Sequence, residues 1–586
     1  MYSNHKSVQI LLSLMKKFDI RDVVLSPGGS DIPLIHSIET DDFFTCYSVV
    51  DERSAAYYAM GVAQEKNRPV ACICTSGTAV CNYVPGITEA HYQNVPVLAI
   101  TADKNPYYQD QLETQKIKQN NIFTDVVKKS VDLPVIQSAD DEWLCNRLVN
   151  EALLELNHHG TGPVQINIPI VGPTHIYDCE KLPDERKMAF ITFPDWNAVG
   201  EKLKGKKVMV VVGQNLNFTD EDLNNMNAFF NRFNCIYAVE NLSNLQCQGI
   251  INTYPITEMC PITSLTHLIP DIVISIGNNL AAYNLKPFLR RNYKNIENWL
   301  INENGVVRDS YKCLTNIFEM SPSEFFSHIG VKGSSDIESY SYYNLWVKES
   351  EKIVLPKLEF SNFYVAKKIA NIIPENSILH CAILNSTRIM QFFSLAKGVT
   401  NYSNVGALGI DGCFSTFAGQ AAASPNKLAY LLIGDLSFFY DMNAAGLRSI
   451  SPNVRVILLN NGGGSEFHFF MGKKNIPTLD KYICAEHGNV ATGWIVSLGY
   501  DYYAATTQQE FDAVIDKFAL PSERPMFLEV FADMELEADR TNAIYDLYRK
   551  EHLPSIQKAK NVLGNILPQK QKQKVKKIIQ ILREKQ

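Results

Sequence analysis

Two apolar stretches of the sequence end in oxygen-bearing side chains and glycines. In YLLIGDLSFFYDMN (430–443), Asp435 directly follows an apolar run, and Asn461 ends a second run, VRVILLNNGGG, after 25 intervening residues. Carboxylate, amide and carbonyl oxygens are hard ligands for Mg²⁺ or Ca²⁺, and such an ion usually also binds phosphate oxygens. The glycines Gly462–Gly464 let the backbone approach an anion closely. A lone Gly-Asp pair is usually a turn, but the two strand ends together indicate a metal–phosphate site.

The elements that must position these side chains alternate between short apolar strands and helices. Such a pattern predicts an α/β protein with parallel sheets, in which ligands bind beyond the carboxyl ends of the strands. Composition shifts divide the chain into the following predicted regions. They are a first α/β domain (1–180), a central α/β domain (188–330), a linker (331–353), a third α/β domain (354–545) and a basic tail (555–586).

Composition excludes several classes of protein. The net charge of −7 argues against a nucleic-acid partner. Thirteen cysteines without a CxxC pair argue against a structural zinc site and predict reduced thiols, hence a cytoplasmic protein. No apolar stretch is long enough to span a membrane, and the N-terminal residues are expected to form an amphipathic helix.

The tail differs in charge from the rest of the chain. Residues 555–586 contain nine Lys or Arg and one Glu, a local charge of +8. Val575, Ile578, Ile579 and Leu582 have helical spacing, which predicts a short basic amphipathic helix. Docking on protein and peripheral contact with an inner membrane are both open interpretations.

The spacing of Asp435 and Asn461 resembles the diphosphate-binding motif of thiamine-diphosphate enzymes. Further segments resemble one branch, the MenD family, whose members join 2-oxoglutarate to isochorismate in menaquinone biosynthesis. They are DERSAAYYAMG (51–61), TSGTAV (75–80), ITADK (100–104) and GIDG (409–412). The resemblance extends from Met1 to about Ala532, is weak in the central domain, and implies the three-domain α/β architecture of these enzymes.

The resemblance assigns cofactor roles to residues of this chain. It implies thiamine diphosphate with Mg²⁺ or Mn²⁺, the ion being held by Asp435, Asn461 and the carbonyl of Gly463. It implies that Glu52 is the catalytic carboxyl that protonates the aminopyrimidine ring of the cofactor, and that Ile410 bends the cofactor. The remaining expected cofactor contacts are Ser386, Gly409, Gly434, Leu436 and Ser437. Because the family shares each site between subunits, a homodimer or homotetramer is also implied.

The substrate positions depart from the family pattern. Ser30 and Val405 stand where the family has arginines, and Met390 occupies a third arginine position, two residues after Arg388. Valine and serine cannot grip a carboxylate as a guanidinium does, and Glu466 is expected to repel acidic substrates. The expected mixed polar pocket contains Ser30, Asp31, Lys104, Thr114, Gln115, Glu466 and His468, and Arg388 and Phe467 are further expected substrate contacts.

Four functions are consistent with these residues. The sequence favours decarboxylation of a 2-oxo acid donor with carbon–carbon bond formation to an electrophilic acceptor unlike isochorismate, for example in surface-polysaccharide synthesis. The alternatives are an authentic menaquinone-pathway enzyme, a simple 2-oxo acid decarboxylase, and a cofactor-binding scaffold without turnover. Retention of Glu52 argues against the scaffold, because a scaffold needs no proton-relay carboxyl.

Overall fold

A computed structural model describes residues 1–214, 217–331, 340–471 and 476–549. These residues form two compact units. The first contains Met1–Asp195 and Glu297–Ser321, and the second contains Trp196–Ile296 together with the described residues from Pro322 onward. The predicted domain boundaries stay a prediction.

The first unit contains nine strands and six helices within the described residues. Its strands are β1 (Asp22–Leu25), β2 (Thr45–Ser48), β3 (Val70–Cys74), β4 (Val97–Asp103), β5 (Lys129–Asp132), β6 (Val164–Pro169), β7 (Ala189–Ile191), β12 (Glu297–Ile301) and β13 (Leu314–Phe318). Its helices are α1 (Lys6–Lys17), α2 (Ile32–Glu39), α3 (Glu52–Lys66), α4 (Thr78–Asn82), α5 (Val84–Tyr92) and α6 (Ala139–Glu155).

The second unit contains the other strands and helices. Its strands are β8 (Val208–Val212), β9 (Cys235–Val239), β10 (Ile250–Asn252), β11 (Ile272–Ile276), β14 (Ile378–Cys381), β15 (Thr400–Tyr402), β16 (Ala429–Gly434), β17 (Val454–Asn460), β18 (Asp501–Ala505) and β19 (Met526–Phe531). Its first helices are α7 (Trp196–Leu203), α8 (Asp220–Arg232), α9 (Tyr254–Met259), α10 (Leu285–Arg291), α11 (Pro322–Val331), α12 (Ser341–Glu351) and α13 (Asn362–Ile372). The later ones are α14 (Asn385–Met390), α15 (Cys413–Ala423), α16 (Asp435–Tyr440), α17 (Glu466–Met471), α18 (Thr492–Ser497), α19 (Gln508–Ile515) and α20 (Met534–Tyr545).

Parallel pairing of strands confirms the predicted fold class of three parallel α/β domains with flanking helices. In the first unit, one sheet has the order β2-β1-β3-β4-β6-β5, and the central strands β12-β13-β7 lie side by side. In the second unit, the central strands follow the order β10-β9-β8-β11, and the last sheet has the order β15-β14-β16-β17-β19-β18.

Apolar residues at helical spacing hold the helices against the sheets. Helix α1 buries Val8, Leu11, Leu12 and Met15, the stripe that the N-terminal sequence predicts. The strands β3, β4 and β17 are buried along their whole length, as expected for parallel strands covered on both faces. No disulfide joins the thirteen cysteines, all of which lie in the described residues.

The last sheet places the two motif strands next to each other. Strands β16 and β17 pair in parallel, with Gly434 opposite Leu459. Their carboxyl ends therefore coincide, and Asp435 and Asn461 each follow the final residue of their strand. Asn460, the last residue of β17, is 5% exposed, and its side-chain amide donates a hydrogen bond to Glu529 at 2.7 Å. Asn460 therefore has a structural role.

The predicted linker, 331–353, is only partly an open connection. Residues 332–339 lie outside the described residues, but Ser341–Glu351 forms α12. Tyr342 and Trp346 of this helix are fully buried, and the Tyr342 hydroxyl donates to the Leu268 carbonyl at 2.8 Å. This part of the linker is corrected to a packed helix, because its aromatic residues face an apolar surface of the same unit.

The predicted basic tail, 555–586, lies entirely outside the described residues. Within the part of the chain that the structure describes, no helix is long and apolar enough to cross a membrane.

Candidate active site

The Asp435 carboxylate organises the loop that follows β17. Its Oδ2 accepts hydrogen bonds from the backbone amides of Asn461, Gly462 and Gly463 at 2.9, 2.8 and 3.1 Å. Its Oδ1 accepts from the Leu436 amide at 2.7 Å. One side chain at the end of β16 therefore fixes the backbone at the end of β17.

Asp435, Asn461 and Gly463 each offer an oxygen atom on or against this loop. The Asn461 side-chain oxygen accepts from the Gly463 amide at 3.3 Å, and the Gly463 carbonyl accepts from the Ser465 amide at 3.1 Å. Burial raises the pKa of Asp435, while nearby His487, whose Nε2 lies 3.7 Å from Oδ2, acts in the opposite direction. A buried carboxylate beside amide and carbonyl oxygens suits a hard divalent cation, which the donor set therefore fits.

Gly463 is required sterically in this loop. Its φ is +157°, and a Cβ atom there would lie 2.9 Å from the Cys484 carbonyl oxygen and 3.0 Å from the Met534 sulfur. A side chain at this position would displace the loop that carries the oxygen donors. A glycine is therefore needed at position 463 because the Cys484 carbonyl and the Met534 side chain lie so close to its backbone.

The other predicted cofactor residues surround the same strand ends. The Ser437 hydroxyl donates to the Ile410 carbonyl at 2.8 Å, which ties α16 to the segment of Gly409. Leu384 and Leu408, which precede Ser386 by two residues and Gly409 by one, have φ values of +64° and +58°. A non-glycine residue in this region costs of order 1 kcal/mol or more, and such strain is concentrated at functional sites.

Glu52 opens helix α3 in the first unit. The preceding Asp51 caps the helix by accepting from the Ser54 amide at 3.1 Å. Asn82, at the end of α4, donates its side-chain amide to Glu52 Oε2 at 3.3 Å. Glu52 is half-buried and keeps its carboxyl at the helix start, where a ligand can reach it. Asn82 was missed by the sequence analysis, since nothing in TAVCN marks it.

Asp31 is an unusual carboxyl close to Glu52. It is fully buried, and within the described residues neither of its side-chain oxygens has a hydrogen-bond partner. Burial raises the pKa of Asp31 to about 7, and the charge of Glu52 acts in the same direction, whereas the nearby amides of Asp31 and Gly28, which do not reach hydrogen-bond geometry, offset part of the increase. This carboxyl gains and loses its proton near neutral pH.

Three other predicted substrate residues lie on neighbouring loops of the first unit. The Ser30 hydroxyl lies 3.0 Å from that of Ser76, and Gln115 donates to the Ser76 carbonyl at 3.5 Å. Lys104 donates to the Thr114 carbonyl and to Glu113 at 3.4 Å. The structure therefore brings Ser30 and Gln115 together, while the Lys104 ammonium is engaged by its own loop.

In the second unit, Arg388 and Glu466 form an ion pair. Arg388 Nη1 contacts Glu466 Oε1, Nη2 donates to the Tyr283 hydroxyl, and the guanidinium lies 4.3 Å from the centre of the Tyr283 ring. Burial raises the pKa of Glu466, and the positive charge of Arg388 opposes this. The expectation that Glu466 simply repels acidic substrates is corrected, because Arg388 balances its charge. The exposed ring of Phe467 follows Glu466 in α17.

A cavity of about 450 Å³ lies beside this ion pair. Lys286, Arg290 and Arg388 line it together with Tyr283 and Val405. Burial lowers the pKa of Lys286, and Arg290 lowers it further, while Glu240 acts in the opposite direction. The cavity thus combines three basic side chains with apolar walls, which suits a carboxylate-bearing ligand. Lys286 and Arg290 were not predicted, because the sequence resemblance is weak in this region.

Two buried glutamates shape one wall of the cavity. Glu240 accepts from the amides of Ala281 and Ala282 at 2.7 and 2.6 Å, and Glu258 accepts from the Asn284 amide at 2.8 Å. Burial raises the pKa of Glu240 to about 7. These contacts fix the loop that leads into α10, and therefore fix the positions of Lys286 and Arg290.

Comparison with known proteins identifies the family. The family model described as "Thiamine pyrophosphate enzyme, N-terminal TPP binding domain" matches residues 5–122. A protein of Phocaeicola vulgatus named 2-succinyl-5-enolpyruvyl-6-hydroxy-3-cyclohexene-1-carboxylate synthase is 37% identical over 560 residues, covering 93% of this chain and 99% of that protein. A synthase of the same name from Bacteroides thetaiotaomicron is 36% identical and covers 92% of this chain and 98% of that protein. The chain belongs to the MenD family.

Membership confirms the resemblance inferred from the motifs. This MenD-family chain is a thiamine-diphosphate-dependent enzyme of the transferase and lyase type that forms carbon–carbon bonds. The individual roles of Glu52, Ser386, Gly409, Ile410, Gly434, Asp435, Leu436, Ser437, Asn461 and Gly463 stay predictions that the described geometry accommodates. The same holds for the substrate residues.

We expect Asp435→Asn to weaken both the loop and cofactor binding. Whichever way the new amide turned, its NH2 group would face at least one backbone N–H that now donates to Oδ1 or Oδ2, and the negative charge would be lost. The lost acceptor should lower the free energy of unfolding, and loss of the charged metal ligand should cost roughly tenfold or more in Mg²⁺-dependent thiamine diphosphate affinity. Chemical denaturation and calorimetric titration measure the two effects.

Asp441→Asn is the matched control for this substitution. Asp441 is also buried in the second unit and accepts hydrogen bonds from the Ser415 amide and hydroxyl at 2.7 Å each. It should lose stability while keeping Mg²⁺-dependent cofactor binding. Equal losses of cofactor affinity in both variants would contradict the special role of Asp435.

We expect Asp31→Asn to remove a pH dependence of stability. The folded pKa of about 7 lies above the unfolded value of ~3.9, so the folded protein binds more protons between these values and loses stability as pH rises through them. Relative to the variant, wild type should lose up to ~4 kcal/mol between pH 4 and pH 7. Denaturant unfolding across this range measures it.

Asp41→Asn should show the opposite trend: relative to this variant, wild type should gain stability as pH rises. Burial alone would raise the pKa of Asp41, but hydrogen bonds from Lys16, the Phe43 amide and Tyr2 lower it. The stability from these contacts is present above the unfolded pKa and is lost as pH falls through the folded value. The same slope in both variants would refute the assignment for Asp31.

Proposed function

We propose that this enzyme forms 2-succinyl-5-enolpyruvyl-6-hydroxy-3-cyclohexene-1-carboxylate from 2-oxoglutarate and isochorismate. The observation that carries the proposal is the near full-length similarity to synthases that bear this name. The cavity lined by Lys286, Arg290 and Arg388 supports it, because these residues offer positive charge where family arginines are absent. Both substrates are carboxylates.

The proposed roles are assigned separately to residues of the second unit and of the first unit. Asp435, Asn461 and the Gly463 carbonyl hold Mg²⁺ and, through it, the diphosphate. The Glu52 carboxyl holds a proton against the aminopyrimidine ring, with Asn82 orienting it. Thiamine diphosphate supplies the electron sink that lets a 2-oxo acid lose carbon dioxide before its remaining carbons join an acceptor.

The described contacts of Arg388 favour a second candidate, the same chemistry with another acceptor. Its guanidinium is already balanced by Glu466 and bonded to Tyr283, which reduces its capacity to bind an additional carboxylate. Val405 at the cavity wall adds no charge. An acceptor with fewer carboxylates and more hydroxyl groups, for example in surface-polysaccharide synthesis, matches such a pocket better than the dicarboxylate isochorismate does.

We expect carbon dioxide release from 2-oxoglutarate that depends on isochorismate in the protein loaded with thiamine diphosphate and Mg²⁺. Glu52→Gln should abolish it, because the amide cannot act as the proton-relay carboxyl. A panel of other 2-oxo acids and acceptors tested in parallel covers the second candidate. Glu52-dependent release from another donor, without response to isochorismate, would overturn the first candidate in favour of the second.

We expect Glu466→Gln to lower KM for a carboxylate substrate if Arg388 binds it. Removing the paired charge makes the guanidinium available, and one charge-assisted hydrogen bond is worth ~1.5–3 kcal/mol, or roughly tenfold in affinity. Steady-state kinetics on 2-oxoglutarate measure it. Exposed Glu486→Gln is the control, with unchanged KM expected. An unchanged or raised KM in Glu466→Gln would place the substrate carboxylate elsewhere.

The proposal extends to assembly and location. In this family the residues that correspond to Glu52 and to the Asp435 loop come from different subunits. A homodimer or homotetramer is therefore the proposed active form. A cytoplasmic enzyme, with peripheral membrane contact through residues 555–586, stays a prediction.

A further inference from the structure

A cluster of histidine and glutamate side chains lies in the first unit, apart from the residues assigned to catalysis. His159 Nε2 lies 2.6 Å from Glu319 Oε1, and His158 Nε2 lies 3.2 Å from Glu319 Oε2. These three ligand atoms lie within 4.8 Å of one another. Residues 158 and 159 follow α6, whereas Glu319 follows β13, so the fold brings together groups that are distant in sequence.

The His158 ring lies between two carboxylates, those of Glu155 and Glu319. Its Nδ1 lies 2.9 Å from Glu155 Oε1, and since a carboxylate can only accept, Nδ1 carries the hydrogen. In the neutral ring, Nε2 then presents a lone pair to the Glu319 carboxylate. A cation bound to Nε2 and to Glu319 would use this lone pair, because both groups can donate electron pairs to it.

The surroundings resemble the support of a metal ligand. A carboxylate that fixes the second nitrogen of a ligating histidine is the usual outer partner in such sites. The His158 ring also stacks on Phe190 with ring centres 3.9 Å apart. Lys128 holds the turn after α6 by donating to the carbonyls of His158 and Gly160. The orientation of His158 is therefore fixed by several independent contacts.

Gly305 keeps space open at the ligand atoms. Its φ is +61°, and a Cβ atom there would lie 2.7 Å from Glu319 Oε1 and 3.0 Å from His158 Nε2. Any larger residue would occupy the position where the ligand atoms converge. The left-handed glycine therefore faces the cluster at the point where an ion and its water would need room.

We propose that His158, His159 and Glu319 form a binding site for a late first-row divalent ion such as Zn²⁺. Two imidazole nitrogens and one carboxylate are a common ligand set for zinc, with one further position for water. His158 and Glu319 are largely buried, while the His159 side chain is 67% exposed and gives the ion access from solvent. The ion would tie the end of α6 to the end of β13 and so stabilise the first unit.

The test uses the untagged full-length protein, stripped of metal and kept in excess Mg²⁺ so that oxygen-ligand sites are filled. Titration with Zn²⁺ against a chromophoric chelator should show one site that is lost in His159→Ala and in Glu319→Gln. Glu155→Gln should weaken it 10–100-fold, as expected when an outer partner of a ligand is removed. Co²⁺ should give an intense d–d absorption in wild type that is absent from Glu319→Gln.

His175→Ala is the matched control, since His175 is another exposed histidine of the same unit. It should bind Zn²⁺ as wild type does. His159→Ala is expected to fold, because its side chain is mostly exposed, and the thermal unfolding of each variant without zinc checks this. Zn²⁺ should raise the melting temperature of wild type and His175→Ala but not of His159→Ala. Equal zinc affinity in wild type and in both ligand variants, or no binding in wild type, would overturn the proposal.

Discussion

The active-site region of the second unit depends on one buried carboxylate. Asp435 accepts from three consecutive amides at the end of the neighbouring strand, so the backbone there cannot move without losing several charge-assisted contacts. The same contacts place the Asn461 oxygen and the Gly463 carbonyl on one loop. Because the carboxylate is buried, its negative charge is costly without a cation. The interaction that orders the loop therefore also favours the binding of a metal ion there.

Much of the fold and of this loop could be predicted, because local patterns encode them. Apolar runs that end in polar residues predicted β16 and β17, and their parallel pairing follows from the short crossover between them. The family resemblance assigned the ligand role to Asn461 rather than Asn460, but local patterns do not show the physical reason for this distinction. The distinction depends on Glu529 of β19, a strand far along the chain, whose carboxylate accepts a hydrogen bond from the side-chain amide of Asn460.

Contacts between distant segments explain the remaining differences from the sequence-based expectations. The sequence shows Arg388 and Glu466 as isolated charges, 78 residues apart, and only the fold makes them a neutral pair. In the same way, Ser341–Glu351 looks like a polar connection until Tyr342 and Trp346 are seen to be buried. Polar composition predicts exposure on average, but a few aromatic residues are enough to fix a helix onto a surface.

The balance of charge around the cavity bears directly on substrate choice. Lys286, Arg290 and Arg388 supply positive charge, but Glu240 lies behind Lys286 and Glu466 pairs with Arg388. A pocket that keeps its cations close to internal anions binds a carboxylate only to the extent that the carboxylate competes with those anions. In a low-dielectric cavity that competition is decided by geometry more than by the number of basic residues. The loss of family arginines therefore does not by itself exclude acidic substrates, and the retained cations do not by themselves require them.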